Sequence, residues 1–427
     1  MVTAAAPARQ AVAWERWALL AIFLLALLLR VQAVVGGGPL PGPGDAQEYD
    51  QIARDWLATG RYTTPGHGVP GAHLAIRTPG YPAFLAGLYW LAGRAGWDRF
   101  ALLRPTQLLL DLASLLLLYR LGRRLFGRRV ALLAAGCFAL YPPFLQSLSV
   151  AMTETVSVLL VLATASLLVA GMEGGRARSF ILAGACAGLA TLVRPLTQLV
   201  GLPVLVLAAW AAGGKRARGW LCGAAFALAL ALTISPWLVR NRVVFGRPAP
   251  LATFGGMNFF TGNYLPFHGF FRAETYGLID SMLAGRKLDE VQVDAVLQQA
   301  GWSNIARYLR HQPLAYAELL WGKFRTFWEY YYHPTGRPVP WPLFGLGEPL
   351  HRALLLLALP GALLAGLSWR RTWPVLLLPA YLCLLQVAVI AEEGRYNIIA
   401  MPLLMLLAAH ALTYLLPRTT PRPLPPS

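Results

Sequence analysis

Long apolar runs separated by short basic loops make up most of the chain, and one polar stretch, residues 39–82, stands apart from them. A membrane span needs about 20 predominantly apolar residues. The first such run, 14–35, follows Arg9 and Arg16; its apolar centre has the look of a signal peptide, but the many runs behind it favour a retained anchor. Further spans are expected at 100–121, 130–148, 153–171, 179–193, 196–212, 219–238, 352–368, 373–391 and 396–415. The pattern predicts an all-α polytopic membrane protein of about ten transmembrane helices in a single domain over 1–427, with no separate soluble domain.

One short run decides the topology. Residues 80–92 are too few to cross, since a span needs about 20, so this segment is interfacial or re-entrant. The loop holding Arg120, Arg123, Arg124, Arg128 and Arg129 then falls on the inner side, as the positive-inside rule prefers. Arg176 and Arg178, then Lys215, Arg216 and Arg218, then Arg370 and Arg371, follow it there, together with the basic tail from Pro417. Both termini are inside, and two large loops, 36–99 and 239–350, lie outside.

Those loops carry their own helical signals. Tyr49, Ile52, Ala53, Trp56 and Leu57 recur at the spacing of an amphipathic helix that Gly60 ends, suited to lying in the membrane interface. Residues 288–310 read as helix, and 315–332 as a second in-plane helix. Gly255-Gly256-Met257-Asn258 and Thr261-Gly262-Asn263 read as turns.

Composition supports the membrane reading: 57% of the 427 residues are hydrophobic and 13% charged, about half the charged share of a soluble domain. The net charge of +18 sits in inner loops, which argues against nucleic-acid binding. Cys137, Cys186, Cys222 and Cys383 lie in or beside apolar runs without metal spacing, and read as small core residues. His67, His73, His268 and His333 lie outside but also lack metal spacing.

The topology sends isolated charges to one face. Asp45, Glu48, Asp50, Arg77, Glu154, Arg194, Glu392, Glu393 and Arg395 all come out at the outer membrane surface. Ionisable residues at membrane depth are costly and usually functional. Arginine pairs phosphate oxygens bidentately, and a carboxylate beside it can deprotonate a nucleophile. Transfer from a lipid-linked phosphosugar uses both, with the cations stabilising the departing phosphate.

At this point the sequence resembles the GT-C membrane glycosyltransferases, in particular bacterial relatives of protein O-mannosyltransferases (glycosyltransferase family 39-like) and of the lipid A aminoarabinose transferase. The matching residues are Asp45-Ala-Gln-Glu-Tyr49, Arg77-Thr-Pro-Gly-Tyr-Pro82, Arg123-Arg124-Leu-Phe-Gly127, Met152-Thr-Glu154, Leu192-Val-Arg194-Pro195, Pro236-Trp237-Leu-Val-Arg240-Asn241 and Arg395-Tyr396. The resemblance implies a polyprenyl-phosphate-sugar donor, an acceptor in the cell envelope (glycan, lipid or protein), extracytoplasmic transfer at the plasma membrane, and inversion at the anomeric carbon. It gives Asp45 the base role and Glu154 a second acidic role. It also implies a short version of the fold, without an outer C-terminal domain. Where some relatives place lysine or histidine before paired prolines, this chain has Arg77-Thr-Pro79.

Each candidate also has a structural reading. Asp45 could be an N-cap, with Glu48 its capping-box partner; Asp50 and Asp55 would then be solvated. Glu154 could cap its helix. Arg77 and Arg395 could be snorkelling anchors rather than phosphate ligands, and Arg194 could satisfy carbonyls freed by Pro195. Tyr49, Tyr81 and Tyr396 suit an interface belt as well as ligand contact. Asp111, mid-span, reads as structural glue, pairing with Gln107 or with a neighbouring helix. A magnesium or manganese ion bridging Asp45, Glu154 and a phosphate suits the donor types without being required. Two other functions stay open at this stage. One is a transporter or flippase of a lipid-linked sugar, and the other a non-catalytic envelope-assembly protein.

Overall fold

Prolines, glycines and charges set the helix limits along the apolar runs. The computed structural model describes residues 5–42, 44–63, 74–331, 343–389 and 394–416, so the expectations for Glu392, Glu393, His67, His73 and His333 lie outside the described residues. The chain opens with α1 (Ala5–Gly36), α2 (Asp45–Thr59) and α3 (Gly80–Arg94). After α4 (Leu103–Phe126) the predicted run 130–148 divides into α5 (Arg128–Leu140) and α6 (Pro142–Ser147), because Pro142 cannot continue a helix. Next come α7 (Glu154–Gly174), α8 (Ala177–Val193), α9 (Gly201–Ala211) and α10 (Arg216–Phe245). The second large loop holds α11 (Gly255–Gly262), α12 (Glu274–Leu283), α13 (Glu290–His311) and α14 (Pro313–Phe327). The chain returns through α15 (Leu343–Gly366), α16 (Trp369–Val389) and α17 (Met401–Leu415). No strand occurs among the described residues.

Every run expected to cross contains helix. Five segments are long and apolar enough to span unaided, within α1, α7, the 213–245 stretch, α15 and α16, and α8, α9 and α17 are shorter apolar helices. One continuous core joins the bundle through buried Leu115, Phe138, Leu162, Phe226, Leu382 and Met401.

The expected turns at Gly255-Gly256 and Thr261-Gly262-Asn263 are instead the two ends of α11. Gly256 allows this. A Cβ there would stand 2.2 Å from the Asp294 carbonyl, so only glycine lets α11 lie this close to α13. The Gly256 N–H donates to the Asp294 carboxylate at 2.5 Å, which satisfies an otherwise orphaned donor in the first turn.

Asp111 resolves differently from the Gln107 option. Its partner is Arg30 of α1, at 2.5 Å with both side chains buried, while Gln107 donates to the Ser147 and Val150 carbonyls. Arg30 also donates to the carbonyls of Phe138 and Ala139. These are terminal acceptors of α5, left open where Tyr141-Pro142 breaks the helix. A buried pair with one partner removed leaves an uncompensated charge, typically costing about 3–5 kcal/mol. Asp111→Ala is therefore expected to lower the melting temperature of the detergent-purified protein sharply. Arg30→Met with Asp111→Leu removes the buried charge but leaves the Phe138 and Ala139 carbonyls unserved, so it should recover only part of that loss.

Candidate active site

Asp45 is the first residue of α2, behind Gly44, and no side chain caps that helix. The capping-box reading is thus corrected. Asp45 and Glu48 both turn to Arg77 instead, which donates Nη2 to Asp45 at 2.9 Å and Nε to Glu48 at 2.8 Å. An ionised arginine is a stronger partner than a backbone amide that water can serve. Asp50 is corrected too: it is buried, not solvated, and accepts from Tyr89, Arg54 and Arg99 at 3.0–3.1 Å. Asp55 is half-buried and accepts from Gln51.

Local packing fixes the segments that carry these charges. The Tyr62 hydroxyl donates to the Arg77 carbonyl at 3.0 Å. Gly80 lies against the Leu192–Val193 backbone, where a Cβ would be 2.6 Å away, so the start of α3 meets the end of α8 beside Arg194. The Ala151 N–H donates to the Pro41 carbonyl at 2.9 Å, tying the approach to α2 to the approach to α7.

Arg395, in the 3-10 turn Gly394–Ile399, completes the group. Its Nη1 donates to Asp45 at 3.0 Å and its Nε to Glu154 at 2.7 Å. Arg194 donates to the same Glu154 oxygen at 3.1 Å and stacks 4.7 Å over the Tyr396 ring. Arg77 packs over Tyr49 and Phe254. Tyr81 is buried edge-on to Tyr49 at 5.1 Å, and its hydroxyl has no partner. Buried Glu154 Oε2 and Arg194 Nη1 likewise have none.

The sequence-derived candidates therefore meet in one place, in two tiers. Asp45, Tyr49, Arg77, Arg194 and Tyr396 line a cavity of about 210 Å3. Glu154, Arg395 and Tyr81 stand behind that wall. Among the described residues, arginines 77, 194 and 395 face the carboxylates of Asp45, Glu48 and Glu154, three charges against three. Asp45 is the most exposed of the acids, at 31% against 5% for Glu48 and 3% for Glu154. Burial alone would push the Asp45 carboxyl up; Arg77 and Arg395 outweigh it and hold it well below the usual carboxylate range.

A metal bridge between Asp45 and Glu154 does not fit this arrangement, because Arg395 lies between the two carboxylates and donates to both. Among the described residues no group of three or more His, Cys, Asp or Glu could hold a metal ion.

Several wall residues were not legible in advance. Phe254, Asn258 and Gln298 line the same cavity from α11, its approach and α13. Asn258 sat in an expected turn, and no motif marks Gln298. Asp294 organises this wall, since its second oxygen accepts from Gln298 at 2.7 Å. From the other side α14 braces α11, with Lys323 donating to the Gly262 carbonyl and Tyr316 to Asn263. Burial pushes the Lys323 ammonium down to about 7. A second, larger and more apolar groove of about 1070 Å3 adjoins the cavity, sharing Val193 and running past Trp237 with Arg61 and Arg240 on its lining.

With this geometry in hand, comparison with known proteins shows what the chain is similar to. The family model for dolichyl-phosphate-mannose-protein mannosyltransferase matches residues 77–239. An oligosaccharyltransferase of Archaeoglobus fulgidus, solved with zinc and sulfate, superposes with a TM-score of 0.58 at 14% identity, over 92% of this chain and 49% of that one. Archaeal oligosaccharyltransferase AglB from Archaeoglobus fulgidus, solved with an inhibitory peptide and a dolichol-phosphate, gives 0.55 at 15% identity, over 93% and 50%. ArnT from Cupriavidus metallidurans, solved with undecaprenyl phosphate, gives 0.42 at 14% identity, over 92% and 77%. No curated protein matches the chain. The fold is that of the GT-C membrane transferases. The chain spans about half the length of the oligosaccharyltransferase chains it overlays.

The Asp294 carboxyl, buried against α11, is pushed up to about 6 from an ordinary 3.8. The folded state therefore holds its proton more tightly than the unfolded chain does, so stability contributed at low pH is lost as pH rises from about 4 through about 6. Melting curves across that window should show wild type losing about 3 kcal/mol relative to Asp294→Asn, with a flat difference above it.

Proposed function

We propose that the protein transfers a sugar from a polyprenyl-phosphate donor to an extracytoplasmic envelope acceptor, with inversion. The observation that carries this reading is the cluster of arginines 77, 194 and 395, opening on a small cavity of mixed polar and apolar lining that adjoins a large apolar groove. The groove suits an isoprenoid tail, and the cavity beside it suits the sugar. The lipid phosphate would lie at their junction, beside Arg194 and Arg77.

Charge balance then shapes the mechanism. A phosphate can meet the open Nη1 of Arg194 directly, but to engage Arg77 it must compete with a carboxylate already there, and Asp45, the most exposed, yields first. Released from its cations, Asp45 regains the proton affinity that they suppress. It takes the proton from the acceptor hydroxyl or amine as that atom attacks the anomeric carbon. The new bond to the nucleophile forms as the carbon–oxygen bond to phosphate breaks, and the polyprenyl phosphate leaves with its charge held by the arginines. Donor binding thus switches the base on. Glu154 is a positioning residue here, since it holds Arg194 and Arg395 on one oxygen. The site faces the extracytoplasmic side, with both termini cytoplasmic, on the strength of the basic loops at the other end of the bundle.

Purified protein in liposomes, supplied with labelled polyprenyl-phosphate monosaccharides and an envelope extract, should consume one donor. Asp45→Asn should fold normally, still bind that donor, and lose activity by about 10²–10⁴-fold, the usual range for a general base. Full activity in that variant would remove Asp45 from the base role. Arg395→Gln should weaken donor binding and, by relieving the suppression of Asp45 in the free protein, move the acidic limb of the pH–kcat/KM profile to higher pH while leaving that of kcat in place.

A further inference from the structure

α7 runs from Glu154 at the arginine cluster to Gly174, 21 residues, which at 1.5 Å per residue is about 30 Å, the thickness of a bilayer's hydrocarbon core. At its far end lies a second cavity, of about 430 Å3, where the ends of α7, α8, α9, α10 and α16 meet. Gly171, Ala208 and Gly219 are among the residues that line it, and Gly171 and Gly219 let Phe180 and the Ala208–Ala209 backbone pack closer than a Cβ would allow.

The electrostatics of this cavity differ from those of the candidate active site. Lys215, Arg218 and Arg370 line it and are all exposed. The one carboxylate in its wall, Glu173, is already shared by Arg124 at 2.6 Å and Arg371 at 3.0 Å. Arg218 reaches the Gly175 carbonyl, which orients its guanidinium across the cavity mouth. Among the described residues, three cations therefore line the cavity without a carboxylate of their own. Beside them Trp210 and Trp369 pack with ring centroids 4.7 Å apart, and such aromatic residues favour the headgroup level of a bilayer. Next to the cations in sequence, Leu221 and Leu367 are exposed by 71% and 85%, giving an apolar surface on which acyl chains can lie.

We propose that this cavity is a binding site for the anionic phosphate headgroup of a membrane glycerophospholipid, held by Lys215, Arg218 and Arg370. It is separate from the donor phosphate site at the other end of α7. A bound headgroup would link the α7–α8, α9–α10 and α15–α16 connections, whose mutual repulsion otherwise opposes their packing. General positive-inside charge does not account for a cavity at this place, because Arg176 and Arg178 carry the same charge at the same end without lining it.

The test uses full-length protein in phosphatidylcholine nanodiscs, titrated with phosphatidylglycerol and, in a parallel arm, with inorganic phosphate. Retained lipid is counted by native mass spectrometry, and the melting temperature is followed. Wild type should retain phosphatidylglycerol selectively and melt higher with it. The combined Lys215→Gln, Arg218→Gln, Arg370→Gln variant should bind at least about tenfold more weakly, from the loss of three surface cations. Arg176→Gln with Arg178→Gln should bind as wild type, and the charge-keeping Lys215→Arg, Arg218→Lys, Arg370→Lys variant should retain binding. Protection by inorganic phosphate as strong as by the lipid would keep the anion site and assign it a soluble ligand. Equal weakening in the Arg176/Arg178 control, or unchanged binding in the triple variant, would overturn the proposal.

Discussion

Arg395 joins parts of the chain that sequence keeps far apart. Its guanidinium bridges Asp45 at the start of α2 and Glu154 at the start of α7, 350 and 241 residues away. Such a bridge repays the desolvation of its charges only where geometry is good and the remaining oxygens find partners. Arg77 supplies one for Asp45, while Arg194 joins Arg395 on a single Glu154 oxygen and leaves Oε2 open; among the described residues the cluster sets three arginines against three carboxylates. Engagement of a lipid phosphate by Arg77 then proceeds by exchange. The same exchange exposes the carboxylate that the chemistry needs.

The scaffold serves this cluster by close backbone approach at a few points. Gly80 brings α3 to the end of α8, and Gly256 brings α11 to α13. Both hold the loops on either side of the cavity close to the elements they pack against. Buried polar groups elsewhere play a quieter part. Arg30 neutralises Asp111 and serves two of the carbonyls that the interruption after α5 leaves open, those of Phe138 and Ala139.

What sequence made legible follows from what is local. Apolar run length, the basic loops and the shortness of 80–92 were enough to place helices and to send Asp45, Arg77, Glu154, Arg194 and Arg395 to one face. Partner choice was not local. Glu48 read as a cap and Asp50 as solvated because Arg77, Tyr89 and Arg99 lie 29 to 49 residues on. The helix α11 was invisible for the same reason: its weak, glycine-rich sequence is stabilised by Asp294, 38 residues downstream. Arg30 stood out as an ionisable residue inside its apolar run, but nothing local to it pointed to Asp111, 81 residues on.

The most direct measurement is a structure of the protein in nanodiscs with a polyprenyl phosphate bound, compared with the free protein under the same conditions. Phosphate density touching Arg77 or Arg194, the isoprenoid in the groove past Trp237, and Asp45 turned away from its arginines is the predicted result. A phosphate bound elsewhere, or a cluster in which Asp45 keeps both arginine contacts with the lipid in place, would contradict the account.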